Sequence, residues 1–285
     1  MTNATPQAPL DGRVALVTGA NTGIGRVTAR ELARQGYQVF VACRTAERAE
    51  GVLADIAAVG GRGEFLALDL ADLDSVRRCA DAFLARGLPL QLLVNNAGLA
   101  GARGLTKSGF ELAFGTNHIG HFLLTQLLLE RLKASTPARI VTVSSRAHYR
   151  SPPLDWDALR EPTRSTTGLP EYSASKLANA LFSAELARRV AGQGITCYAL
   201  HPGVVASEVW REVPAPLRWL IKRFMITVEQ GAATTLHCAT SAAAAAETGL
   251  YYDKCKPRTP SAMARDTALA AELWRRSEAW VAQGA

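Results

Sequence analysis

The 285-residue sequence predicts an α/β fold, a doubly wound parallel sheet forming a single domain with a small lid. Three observations carry that expectation. Short apolar runs without polar alternation recur along the chain, as in strands covered on both faces. Longer segments of helical character separate them, and the first run ends in a glycine-rich turn.

Taken in order, the apolar runs fall at 13–18, 37–43, 64–70, 90–95, 139–145 and 195–201, with a short seventh candidate at 250–252. Between them, helices are expected at 23–35, 45–58, 72–86, 110–133, 172–191 and 228–240. Asp72 precedes its helix as an N-cap. The repeated strand–helix order implies right-handed crossovers. Residues 1–12 are polar and contain proline, and read as a flexible N-terminal tail; 13–285 read as one domain.

Composition narrows the function classes. Hydrophobic residues make up 48% and charged residues 20%, ordinary for a soluble globular protein. The net charge of +7 comes from arginines spread along the chain, with neither zinc-finger spacing nor an aromatic RNA-binding motif, so no nucleic-acid partner is expected. The five cysteines are far apart and suit buried free thiols in a reducing compartment. No apolar stretch approaches the ~20 residues needed to span a bilayer, and the start of the chain has no apolar leader. The expected location is cytoplasmic.

After the first strand comes Gly19-Ala-Asn21-Thr22-Gly23-Ile24-Gly25 and then a helix. Such glycines permit a tight turn and close backbone approach, while the new helix offers unpaired N–H groups to a pyrophosphate. No Gly-Lys-Ser/Thr ending follows, which argues against nucleotide hydrolysis. An NAD-binding chain places a carboxylate after the second strand; this one has Arg44 there and Arg48 one turn on. Arginine attracts a 2′-phosphate, so NADP(H) is the expected cofactor.

Tyr172-x-x-x-Lys176 puts two side chains on one helix face about one turn apart. A phenol near pKa 10 is a poor base at neutral pH, and a neighbouring ammonium favours the phenolate. The pair therefore suits reversible carbonyl reduction. The fifth strand ends in Ser144-Ser145, at the crevice where such sheets bind ligands. Ser145 is the candidate donor to the substrate oxygen, with Ser144 the alternate for a register shifted by one. Asn117 is a mediocre helix former inside a helical segment, so something must justify it.

With Thr18–Gly25, Asp69-Leu70, Asn95-Asn-Ala97-Gly98, Asn117, Ser145, Tyr172-x-x-x-Lys176 and Pro202-Gly203 in this order, the sequence resembles the short-chain dehydrogenase/reductase family over nearly its whole length. The resemblance implies a Rossmann fold and an oxidoreductase. It implies that Asp69 contacts the adenine with Leu70 beside it, that Asn95, Ala97 and Gly98 border the cofactor, and that Pro202, Gly203 and Val205 flank the nicotinamide. It also implies that Lys176 holds the nicotinamide ribose and that Asn117 holds a water linking Lys176 to solvent. Finer features, among them Asn117-His-Ile-Gly-His-Phe and Ser175-Lys-Leu-Ala-Asn179, are similar to the retinol dehydrogenase and WW-domain oxidoreductase-like subgroup. That subgroup tends to use NADP and inserts residues between the serine and the tyrosine, here a substrate loop at about 149–170. No apolar N-terminal anchor is expected, a departure from the subgroup's membrane-bound members.

Leu217, Trp219, Leu220, Ile221, Phe224 and Met225 interleave with Arg218, Lys222 and Arg223, and the resemblance makes about 206–227 a lid over a small hydrophobic carbonyl or alcohol substrate. A basic amphipathic segment also suits a membrane surface, so a peripheral reductase of retinoid- or steroid-like substrates is an alternative. A non-catalytic NADPH-binding regulator is another. His118 and His121 lie three apart without a third ligand at metal-site spacing, and packing or hydrogen bonding is the expected role. The segments 110–133 and 172–191 are surfaces through which a homo-oligomer could form.

Overall fold

Most of the apolar runs become strands because they find cover on both sides. In the computed structural model, which describes residues 12–203 and 226–282, the elements follow as β1 (Val14–Thr18), α1 (Gly23–Arg34), β2 (Gln38–Cys43), α2 (Ala46–Ala58), β3 (Arg62–Ala67), α3 (Leu73–Leu84) and β4 (Leu92–Asn95). Next come the short α4 (Leu112–Phe114), a π-helical turn (Gly115–Ile119), α5 (Gly120–Lys133), β5 (Ala138–Val143), α6 (Leu169–Arg189) and β6 (Ile195–His201). The chain continues with α7 (Val228–Thr240), β7 (Leu250–Asp253), β8 (Lys256–Pro257) and α8 (Thr267–Ala282). The tail 1–11, Val205 and the expected lid up to residue 225 lie outside the described residues.

The strands form one eight-stranded sheet in the order β3-β2-β1-β4-β5-β6-β7-β8, parallel except for β8. Strand order reverses between β1 and β4, which opens a crevice at the strands' carboxyl ends. Period-two alternation along β1 sends Val14 and Leu16 into one core layer and Ala15 and Val17 into the other. The first layer holds Val76 and Phe83 of α3, Leu124 and Leu128 of α5, and Leu181 of α6. The second holds Leu32 of α1, Val52 and Ile56 of α2, and Cys238 of α7.

Several boundaries differ from the expectation, each for a reason. The third strand is Arg62–Ala67 rather than 64–70, because it is an edge strand that ends where its partner β2 ends, with Cys43 opposite Ala67. Leu68 and Leu70 mimic strand residues because both are buried in the first core layer. Strand β5 stops at Val143, so Ser144 and Ser145 lie beyond it. Helix α6 begins at Leu169, three residues before Tyr172: Gly168 at φ 63° turns the chain, and Pro170 needs no N–H partner in the first turn. The segment 110–133 is not one helix but a π-turn between two helical pieces. Strand β8 and helix α8 were not anticipated. Helix α8 lies on α6, where Trp274 stacks on Phe182 at 5.8 Å.

Candidate active site

At the carboxyl ends of the strands lies a cleft of about 1610 Å³. The turn after β1 lies toward one end, between the ends of β2 and β4. Gly19 and Gly23 take positive φ (63° and 53°), the region L side chains avoid. A Cβ on Gly25 would stand 2.3 Å from the Gly19 carbonyl oxygen and 2.5 Å from Asn96 Nδ2, and one on Gly19 would stand 2.9 Å from Ala97. Thr22 precedes α1 without capping it through its side chain, and the first turn has no acidic residue. Free N–H groups at the positive end of the helix, in a groove kept open by missing side chains, fit the pyrophosphate of a dinucleotide. Asn21, Thr22 and Ile24 also line this end.

Arg44 and Arg48 line the cleft beside the carboxyl end of β2. Both are exposed, and neither has an ion-pair partner among the described residues. Their charges act on the Cys43 thiol, opposing the burial that raises its pKa. Asp69 and Leu70 line the cleft, and one carboxylate oxygen of Asp69 accepts from the Ala71 N–H at 3.0 Å. Ala97 and Gly98 line it too, but Asn95 does not. As the last residue of β4, Asn95 is buried and donates to Thr125 Oγ1 at 3.0 Å. Its neighbour Asn96, which the sequence reading passed over, faces the cleft and donates to the Thr18 carbonyl at 2.8 Å. Asn95-Asn96 stands at a strand end, where alternate residues face opposite ways; that was the available signal.

The other end of the cleft holds Ser145, Tyr172 and Lys176, with Pro202 and Gly203 also in the lining. Ser144 is buried and donates to the Lys176 carbonyl at 2.6 Å, whereas Ser145 is half-buried, accepts from the Ala147 N–H at 3.1 Å and lies beside Tyr172. Burial raises the Tyr172 pKa, and the Ser145 contact opposes that rise. Lys176 is only 3% exposed, donates from Nζ to the Val143 carbonyl at 3.0 Å, and stands 5.7 Å from the centroid of the Tyr172 ring. Burial brings its pKa down to about 8.

Asn117 sits in the π-turn behind Lys176, not on the cleft wall. Its Oδ1 accepts from the Leu99 N–H (2.9 Å), and its Nδ2 donates to the Leu99 carbonyl (3.0 Å) and Ser175 Oγ (2.9 Å). A Cβ on Gly98 would crowd both Asn117 Oδ1 (3.2 Å) and Lys176 Nζ (3.3 Å), so this glycine keeps the two groups adjacent. His118 and His121 diverge: His118 meets Ser277 Oγ of α8, and His121 meets Thr18 and the Asn117 carbonyl. From the expected substrate loop, Tyr149, Pro152, Leu169 and Pro170 line the tyrosine end.

The family model described as short chain dehydrogenase matches residues 13–154 and 162–217. The chain belongs to this family. Human retinol dehydrogenase 11 is 44% identical over 275 residues, covering 95% of this chain and 86% of its own length. An uncharacterised protein from Mycobacterium Paratuberculosis has a solved structure 36% identical, with a TM-score of 0.78, covering 97% of this chain and 96% of that one. RhlG of Pseudomonas aeruginosa, solved as an NADP active-site complex, is 28% identical with a TM-score of 0.69, covering 86% of this chain and 96% of that one. Within the family the chain falls in the retinol dehydrogenase-like subgroup. It is an oxidoreductase that works by hydride transfer with a nicotinamide cofactor on CH–OH donors.

Proposed function

We propose that this short-chain dehydrogenase is an NADP(H)-dependent enzyme interconverting a hydrophobic aldehyde or ketone and its alcohol. The observation that carries the reading is one cleft with Arg44 and Arg48 at one end and Ser145, Tyr172 and Lys176 at the other. Gly19–Gly25 would hold the pyrophosphate of a dinucleotide lying between them, Asp69 and Leu70 its adenine, and Arg44 and Arg48 its 2′-phosphate. Ala97, Gly98, Pro202 and Gly203 border its nicotinamide half. Bound there, the nicotinamide supplies or accepts the hydride.

The chain's own groups manage the proton. Ser145 donates to the substrate oxygen, and Tyr172 delivers a proton to that oxygen or removes it. Lys176, charged at neutral pH despite burial, lowers the cost of the phenolate that Tyr172 becomes. Asn117 supports Lys176 from behind. Leu112, Ala147, Pro152, Leu169 and Pro170 give the tyrosine end apolar walls, which supports a hydrophobic substrate. The likeness to retinol dehydrogenase 11 supports a retinoid-sized one.

The test is cofactor choice. In Arg44→Asp, the dissociation constant for NADPH should rise by roughly 10- to 100-fold, the value of one charge-assisted contact, while that for NADH moves little. Equal losses for both cofactors would overturn the assignment. NADPH oxidation across aldehydes and ketones graded by size, with retinal included, then sets the substrate class.

A further inference from the structure

Thr18, the last residue of β1, is a hydrogen-bond hub beneath the glycine turn. Strand alternation points it to the same face as Val14 and Leu16, the face that α3 and α5 cover. Its hydroxyl oxygen accepts from the N–H groups of Asn96 (2.9 Å) and Ala97 (3.0 Å), both on the cleft wall. A hydroxyl has two lone pairs and one hydrogen, so with both pairs engaged it meets a third partner only by donating. That partner is Nε2 of His121 at 2.8 Å; the alternative acceptor, the Val94 carbonyl, stands at 3.4 Å.

His121 therefore accepts at Nε2 and carries its proton on Nδ1. There it faces the Asn117 carbonyl oxygen at 2.9 Å, which has nothing to donate. The two ends of the ring thus select the same neutral tautomer independently. The ring is 1% exposed, and burial together with the Lys176 charge holds its pKa down at about 4.

We propose that His121 is a positioning residue that locks the support of the glycine turn, Thr18, to the π-turn that carries Asn117. The proposal rests on the function assigned above. Helical spacing alone explains the bond to the Asn117 carbonyl, four residues away; the bond to Thr18 spans 103 residues and joins the end of β1 to the start of α5. On one side the imidazole fixes the hydroxyl that orients Asn96 and Ala97. On the other it fixes the turn whose Asn117 side chain borders Lys176.

The two bonds can be cut separately. A glutamine carboxamide reaches about as far as Nε2 and an asparagine carboxamide about as far as Nδ1. His121→Gln keeps an acceptor for Thr18 and loses the donor to Asn117; His121→Asn does the reverse. In the full-length enzyme, calorimetric titration of NADPH and turnover of one aldehyde should split. His121→Gln should leave the NADPH dissociation constant within about twofold and lower kcat roughly tenfold. His121→Asn should raise that dissociation constant roughly tenfold with the smaller effect on kcat.

Parallel changes in both variants, or none, would overturn the inference while the wild-type enzyme remains an active NADPH oxidoreductase. An inactive wild type would instead overturn the assigned function. Should either variant fail to fold, nitrogen-15 NMR of the wild-type histidines decides. His121 protonated at Nδ1 and neutral from pH 8 to pH 5 supports the inference; an Nε2–H tautomer or an imidazolium in that range contradicts it.

Discussion

Single residues set the chemistry, and the decisive ones differ from their neighbours in contact rather than in type. Ser144 and Ser145 are chemically identical, yet one is spent on the Lys176 carbonyl and the other faces Tyr172. The histidines show how burial fixes a charge state. Burial holds His118 at about 3 and His121 at about 4, below the 6.5 of an exposed imidazole. The unfolded chain therefore binds protons below pH 6.5 that the native chain refuses. The stabilisation is complete above pH 6.5 and drains as pH falls toward 4 and then 3. Between pH 6.5 and pH 5 each histidine should cost about 2 kcal/mol. Thermal melts of His118→Gln, which can still reach Ser277, should lose less on going from pH 7.5 to pH 5 than wild type. Identical pH slopes would refute this. Among single residues, the glycine turn and Tyr172-x-x-x-Lys176 were legible because their spacing is local. The Thr18–His121 bond was not, because no local pattern joins residues 103 apart.

At the scale of elements, legibility follows the number of covered faces. The buried strands β1, β4 and β6 read directly from their apolar runs, since sheet neighbours and helices enclose them. The edge strand β3 misled, because its own residues are largely exposed while the apolar Leu68 and Leu70 follow it. The π-turn at Gly115–Ile119 had one hint, the poor helix former Asn117. Helix α8 was not anticipated although its sequence carries the signal: the buried Ala270, Leu273, Trp274, Ser277 and Val281 fall at helical three- and four-residue spacing. Trp274 packs against Phe122 (5.1 Å) and Phe182, with the Arg189 guanidinium 4.4 Å from its ring centroid, and Trp280 meets Phe110 and Phe114 at 6.0 Å. The outer face of α6 is thus occupied by the chain's own last helix. Trp274→Ala should cost about 3–5 kcal/mol and lower Tm by roughly 6–10 °C, with NADPH affinity at 25 °C unchanged. A Tm within about 2 °C of wild type would show that α8 contributes little.

For the whole molecule, the strand-order reversal between β1 and β4 explains why residues from so many elements meet in one cleft. The glycine turn follows β1, the arginines follow β2, Asp69 follows β3, and Ala97 and Gly98 follow β4. Ser145 follows β5, and Pro202 follows β6. Tyr172 and Lys176 come from within helix α6, whose packing against the Arg146–Arg150 turn brings them to Ser145. The central claim is that Tyr172 moves the proton while the rest of the cleft binds and orients. Tyr172→Phe removes one oxygen and leaves the ring in place. Turnover of a hydrophobic aldehyde, measured as NADPH oxidation beside a calorimetric titration of NADPH, tests it directly. Turnover should fall by about 10²- to 10⁴-fold with NADPH affinity within about twofold of wild type. Near-normal turnover in that variant would contradict the account.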